Sequence, residues 1–304
     1  MGKKARLALI VAGIATVAVT ALRVLLMPQM QDNRTGDFAL GYGIIIAMLL
    51  CITVFAALAY ADKTKPLPAM EGLPLRTTAW SLMILGGILV LENLYDVVAY
   101  MAWDQMPAPQ TEAAGISGLL LNGTFVFGLL AGAWALLQGY AWLTTGQLCR
   151  GKYPLLTLAF VLWLWLRLAR YVISYASAVS VVETFYDYAM LVASLLFAMA
   201  FARYISGQTD YQSPTVFWTA LATALCGVSA TCTRFVMYLM GETEAYRASE
   251  LARPTDLMVA VFAAMVAVAL ALGKSSITQT EEQVADEISA EQQLLDELLP
   301  KDDN

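Results

Sequence analysis

The chain has 304 residues, 59% of them hydrophobic and 14% charged, against about 45–50% apolar in a soluble domain, so the bilayer is its natural solvent. It contains no histidine, which removes the commonest general base, metal ligand and haem ligand together; no enzymatic activity, metal or cofactor is expected. The formal charge is −6, but nine of the 24 carboxylates fall between Glu281 and Asp303; the remainder is nearly balanced, which argues against nucleic acid as a partner.

A membrane-spanning helix takes about 20 mostly apolar residues. The first such run, residues 6–27, follows Met1-Gly2-Lys3-Lys4-Ala5-Arg6, a start that could pass for a secretory signal. The apolar stretch continues to Met27 with no small-x-small cleavage site before the polar loop, so it is expected to stay as a first span. Arg6 stands where a myristoylation pattern needs Ser or Thr. The second run, 38–61, ends at the punctuation Lys63-Thr64-Lys65-Pro66-Leu67-Pro68. The third, 78–103, carries Glu92 and Asp96, four apart and therefore on one helical face, and stops before Pro107-Ala108-Pro109.

The fourth run, 118–145, contains Gly128 and Gly132 in the small-xxx-small spacing of closely packed membrane helices. Its start, Gly115-Ile116-Ser117-Gly118, has the form of a rhomboid protease motif, but that serine needs a histidine to activate it and none exists. The fifth run, 154–177, carries Arg167 and Arg170. The sixth, 184–205, begins beside Glu183 and Asp187, again four apart. The seventh, 215–240, holds Arg234 near its end, and the eighth spans 256–273. Lys274 follows that last span at its end rather than inside the bundle, which excludes a retinal Schiff base. Cys51, Cys149, Cys226 and Cys232 show no metal-ligand spacing and read as small buried hydrophobes.

The fold expected is therefore all-α: a polytopic bundle of eight transmembrane helices over residues 1–274, with an acidic tail at 275–304. Basic residues fix its orientation, because Lys and Arg in short loops are retained in the cytoplasm. With an inside N-terminus, Lys3, Lys4, Arg6, Lys63, Lys65, Arg76, Arg150, Lys152, Arg203 and Lys274 lie inside, against Arg34, Arg247 and Arg253 outside. Both termini are then cytoplasmic, and the expected location is a bacterial inner membrane. The sequon Asn33-Arg34-Thr35 falls outside.

Read as four hairpins, the spans share a faint pattern. Up-going helices end in Arg23-Val24-Leu25, Arg170-Tyr171-Val172 or Arg234-Phe235-Val236; down-going ones begin near Asp37-Phe38, Asp187-Tyr188 or Asp256-Leu257. Duplication of a two-helix unit would produce it, and ordinary interfacial residues explain it equally. In the tail, Val284, Ile288, Leu295 and Leu298 share one helical face, an amphipathic pattern that is either a solvated helix or a docking element. Its acidity repels anionic lipid, so its partner would be a cytoplasmic protein.

Counting about 1.5 Å per residue from the cytoplasmic ends puts Glu92, Arg167 and Arg234 in the outer half of the bilayer. Arg23, Glu92, Asp96, Arg167, Arg170, Glu183, Asp187 and Arg234 gather at that depth, with Tyr95, Tyr171, Tyr175, Tyr186 and Tyr238 nearby. Charges buried in a membrane face the bundle interior and find partners. Two functions fit. One is an outward-facing cavity binding a small polar or zwitterionic ligand for transport or sensing, its arginines clamping an anionic group. The other is a structural salt-bridge network in a membrane scaffold, with tyrosines in the interfacial belt. The inner half offers no ionisable group to continue an ion path, which weakens the case for a transporter.

Overall fold

The computed structural model describes residues 3–32, 38–61, 73–103, 112–145, 154–174, 181–206, 213–241 and 253–272. These form eight α-helices: α1 (Lys3–Asp32), α2 (Phe38–Ala61), α3 (Leu73–Trp103), α4 (Glu112–Thr145), α5 (Pro154–Ser174), α6 (Val181–Ile205), α7 (Ser213–Leu239) and α8 (Pro254–Leu272). Each is long and apolar enough to cross a membrane. A bundle of helices satisfies every backbone polar group within its own segments, the condition that hydrocarbon imposes. The expected eight-span, all-α architecture is the observed one. The acidic tail lies outside the described residues.

Six of the helices close into a ring. α3 packs on α4, α4 on α5, α5 on α6, α6 on α7, α7 on α8, and α8 returns to α3. Across the ring, among the described residues, no Cα of α4 comes within 8 Å of one in α6 or α8, nor does α5 approach α8 that closely. The centre is filled by side chains instead: Trp134 and Trp142 from α4, Phe160 and Trp163 from α5, Phe197 and Phe201 from α6, and Phe262 from α8 are all buried. The α1–α2 hairpin packs outside the ring on α7, which is why α7 is the most enclosed helix of the eight.

The closest helix contact is built by glycine. A Cβ at Gly86 of α3 would sit 2.8 Å from the carbonyl oxygen of Gly132 on α4, and one at Gly139 would lie 2.9 Å from the carbonyl oxygen of Ala79. Gly128 lies against the Asn93 side chain. The spacing recognised at Gly128 and Gly132 is thus half of an interface whose other half is Gly86. α7 and α8 repeat the device, since a Cβ at Gly227 would meet that of Ala260 at 2.6 Å. Van der Waals contact of this kind holds helices together in lipid, where no hydrophobic force separates them from the solvent. Cys226 is buried as expected, whereas Cys51 and Cys232 are only half-buried.

Candidate functional site

The start of α8 organises the charged end of the ring. Arg253-Pro254-Thr255-Asp256 has proline at the first helical position, where a missing N–H costs nothing, and an acid two residues later. The Asp256 carboxylate reaches back to the Arg253 N–H at 3.4 Å, as the acid of a capping box does. Glu92 of α3 supplies a second acceptor: its Oε2 takes the Thr255 N–H at 3.2 Å and also the Thr255 hydroxyl. Two carboxylates from different helices therefore face the positive end of one helix dipole.

Asp256 also receives Arg167 from across the ring. The guanidinium grips it with both nitrogens, Nη1 to Oδ1 at 2.5 Å and Nη2 to Oδ2 at 3.0 Å, and both side chains are about 5–6% exposed. Only arginine offers this planar two-pronged geometry. Its face lies 4.9 Å from the Trp163 ring centroid on the preceding turn. The pair is a strut between α5 and α8, helices whose backbones do not touch.

A second pair answers the first. Arg234 of α7 reaches Asp187 of α6, Nη1 to Oδ1 at 2.5 Å, and the Tyr171 hydroxyl of α5 donates to the other Asp187 oxygen at 3.0 Å. The α5–α6 hairpin thus gives Arg167 and Asp187, the α7–α8 hairpin gives Arg234 and Asp256, and each arginine takes the other hairpin's acid. Arg23 of α1, also buried, donates to the Ser229 carbonyl of α7 at 2.7 Å, and its guanidinium lies 3.7 Å above the Tyr186 ring. A third cluster is more open: Arg253 meets both Glu92, at 3.3 Å, and Asp96, with side chains 29%, 15% and 21% exposed.

Of the residues singled out in the sequence, Arg23, Glu92, Asp96, Arg167, Asp187, Arg234, Tyr171 and Tyr186 have their places in these clusters. Arg170 is half-buried on α5. Tyr95 and Tyr238 are 73% and 48% exposed and stand on the outer surface of the bundle. The side chain of Glu183, and Tyr175 as a whole, lie outside the described residues. Two partners were not singled out. Arg253 reads as a loop residue because it precedes proline, and Asp256 reads as a helix start; that second signal, together with the Asp187 parallel, is what could have revealed it.

In the contacts given for the described residues, four arginines, Arg23, Arg167, Arg234 and Arg253, stand with four carboxylates, Glu92, Asp96, Asp187 and Asp256. Tyr171→Phe, which removes one hydroxyl donor to Asp187 and keeps the ring, is expected to lower stability by about 1 kcal/mol. An SDS-titration unfolding midpoint measures it, and an unchanged midpoint would mean that the hydroxyl adds nothing to the Arg234–Asp187 pair. Among the described residues no group of His, Cys, Asp or Glu is placed to hold a metal ion. No family model, curated protein or solved structure matches the chain.

Proposed function

We propose that the protein is a non-catalytic component of a bacterial inner membrane, a scaffold or accessory subunit whose arginine–carboxylate network is structural. One observation carries this: Arg23, Arg167 and Arg234, each at most 6% exposed, already meet protein acceptors, two of them carboxylates. Arginines that clamp an anionic ligand would need free donors aimed at an opening. The excess of basic residues in the first turns of α1 and in or beside the segments that join α2 to α3, α4 to α5 and α6 to α7 supports cytoplasmic termini. The acidic segment at 275–304 then offers a surface to a cytoplasmic protein.

The second reading, binding of a small polar or zwitterionic molecule for transport or sensing, is favoured by the Arg253–Glu92–Asp96 cluster. It is partly accessible and carries one surplus negative charge, which would receive an amine. Thermal unfolding of the purified protein against amino acids, glycine betaine and phosphate esters separates the two. A structural network predicts midpoints unmoved by any of them, with Arg167→Ala lowering the midpoint of the ligand-free protein. A saturable rise with betaine or an amino acid that Asp96→Asn abolishes would establish the second reading in place of the first.

A further inference from the structure

The two ends of the bundle differ in charge. Tyr60 near the finish of α2 meets Thr215 at the start of α7 at 3.2 Å, and Thr78 near the start of α3 donates to the Met265 carbonyl late in α8 at 3.4 Å. Arg23 late in α1 and Asp187 early in α6 both meet the later half of α7. The end at which α8 finishes therefore also holds the starts of α1 and α3 and the finish of α6. Lys4 and Arg6 of α1, Arg76 of α3 and Arg203 of α6 stand there, all exposed. None of them pairs with an acid among the described residues, because every described acid, from Asp32 at the finish of α1 to Asp256 at the start of α8, lies in the opposite half.

Retention of basic residues on one side of the membrane explains why bases collect at one end. It does not explain where acids go, since Asp and Glu contribute little to orientation. Yet the segment that follows α8, residues 275–304, carries nine carboxylates against Lys301 alone.

The helix that delivers this segment is placed to bring the two charges together. α8 packs against α1, α3 and α6, each of the helices that carry the four exposed bases. Glu281 follows Leu272 by nine residues. That many residues span up to about 30 Å, several times the separation of about 8–10 Å between packed helices. Tethering on so short a linker keeps the acids at an effective concentration of roughly millimolar beside the bases, while an anionic membrane surface repels them.

We infer that the acidic segment 281–303 docks on the end of its own bundle where Lys4, Arg6, Arg76 and Arg203 stand, its carboxylates against their ammonium and guanidinium groups. The contact is made by exposed charges, so it is modest in strength and weakens with salt. A protein that takes up the acidic segment has to displace it from this end first. The inference bears in this way on the partner proposed above, but its test uses no partner, so the two can fail separately. The buried ion pairs at the opposite end take no part in it.

The test uses the full-length protein, one copy per lipid nanodisc, and a glutamate-specific endoproteinase, with a synthetic peptide of residues 275–304 as the undocked reference. At low salt the segment should be cut about fivefold more slowly in the protein than in the peptide, the protection that a few exposed charge pairs give. The difference should disappear at high salt. It should shrink in the double variant Arg76→Gln with Arg203→Gln, whose exposed positions leave the thermal midpoint unchanged. Equal rates in protein and peptide at low salt, or protection that neither salt nor the double variant reduces, would overturn the inference. Discs of phosphatidylcholine and of phosphatidylglycerol should protect alike. Protection lost in phosphatidylglycerol would assign the basic end to lipid headgroups instead, and protection in discs with two copies but not one would assign the acids to a second copy.

Discussion

Asp256→Ala is expected to destabilise the protein by about 3–5 kcal/mol, the cost of leaving a buried charge without its partner. Arg167 is 6% exposed and its guanidinium cannot deprotonate; with the carboxylate gone it loses its hydrogen-bonded counter-charge at a site where little water can replace it. The same substitution strips the cap from the Arg253 N–H at the start of α8. The pair need not be a net source of stability. Continuum arguments and mutational experience make a well-packed apolar replacement of both partners neutral or favourable. The double variant Arg167→Met with Asp256→Leu should therefore recover most of the loss, the residue being the missing cap, about 1 kcal/mol. Unfolding midpoints of Arg167→Met, Asp256→Leu and the double form a cycle with a large coupling term. Equal damage in single and double variants would show that the strut is not the reason for the loss.

What such a pair supplies is choice of arrangement. An apolar bundle in lipid can exchange neighbours at small cost, because side chains gain little from one another that they do not gain from acyl chains. A buried arginine cannot, since every arrangement that separates it from its acid leaves a charge in hydrocarbon. The reciprocal pairs Arg167–Asp256 and Arg234–Asp187 tie α5 to α8 and α6 to α7, and so specify which way the second half of the ring closes.

Much of this is legible in the amino-acid sequence. Eight apolar runs give eight helices because hydrocarbon admits only helices and closed barrels and runs of about 20 apolar residues have the length of a spanning helix, and their Pro and Gly boundaries hold to within a few residues at most ends. The residues of the charged end could also be named: Glu92 and Asp96 do share a face, and both meet Arg253. Their partners could not be named, since pairing depends on which helices are neighbours, and the closure of α8 onto α3 joins residues some 160 positions apart in sequence, as in the contact of Arg253 with Glu92. Arg253 was hidden by the proline that follows it.

Gly86→Leu should disrupt the ring where Gly87→Leu does not, although the two positions are adjacent. A Cβ at Gly86 would approach the Gly132 carbonyl oxygen at 2.8 Å, the Leu136 nitrogen at 2.9 Å and the Ala135 Cβ at 3.0 Å. Two of those atoms are backbone, so relief requires one helix to move as a body. Even Gly86→Ala should cost about 1–3 kcal/mol, the usual penalty of an added carbon in a filled interface. Leucine adds three more carbons in the same direction, and should abolish the α3–α4 contact and with it folded yield. A Cβ at Gly87 would meet nothing within 4 Å, so leucine there should be neutral or, by its helix propensity, slightly stabilising. Folded yield by size-exclusion chromatography and the SDS-unfolding midpoint compare the two variants under identical conditions. Equal tolerance at both positions would mean that α3 and α4 can separate without penalty. Because α3 also carries Glu92 to the start of α8, displacement at Gly86 should propagate to the charged end, lowering the coupling measured between Arg167 and Asp256 in the same background.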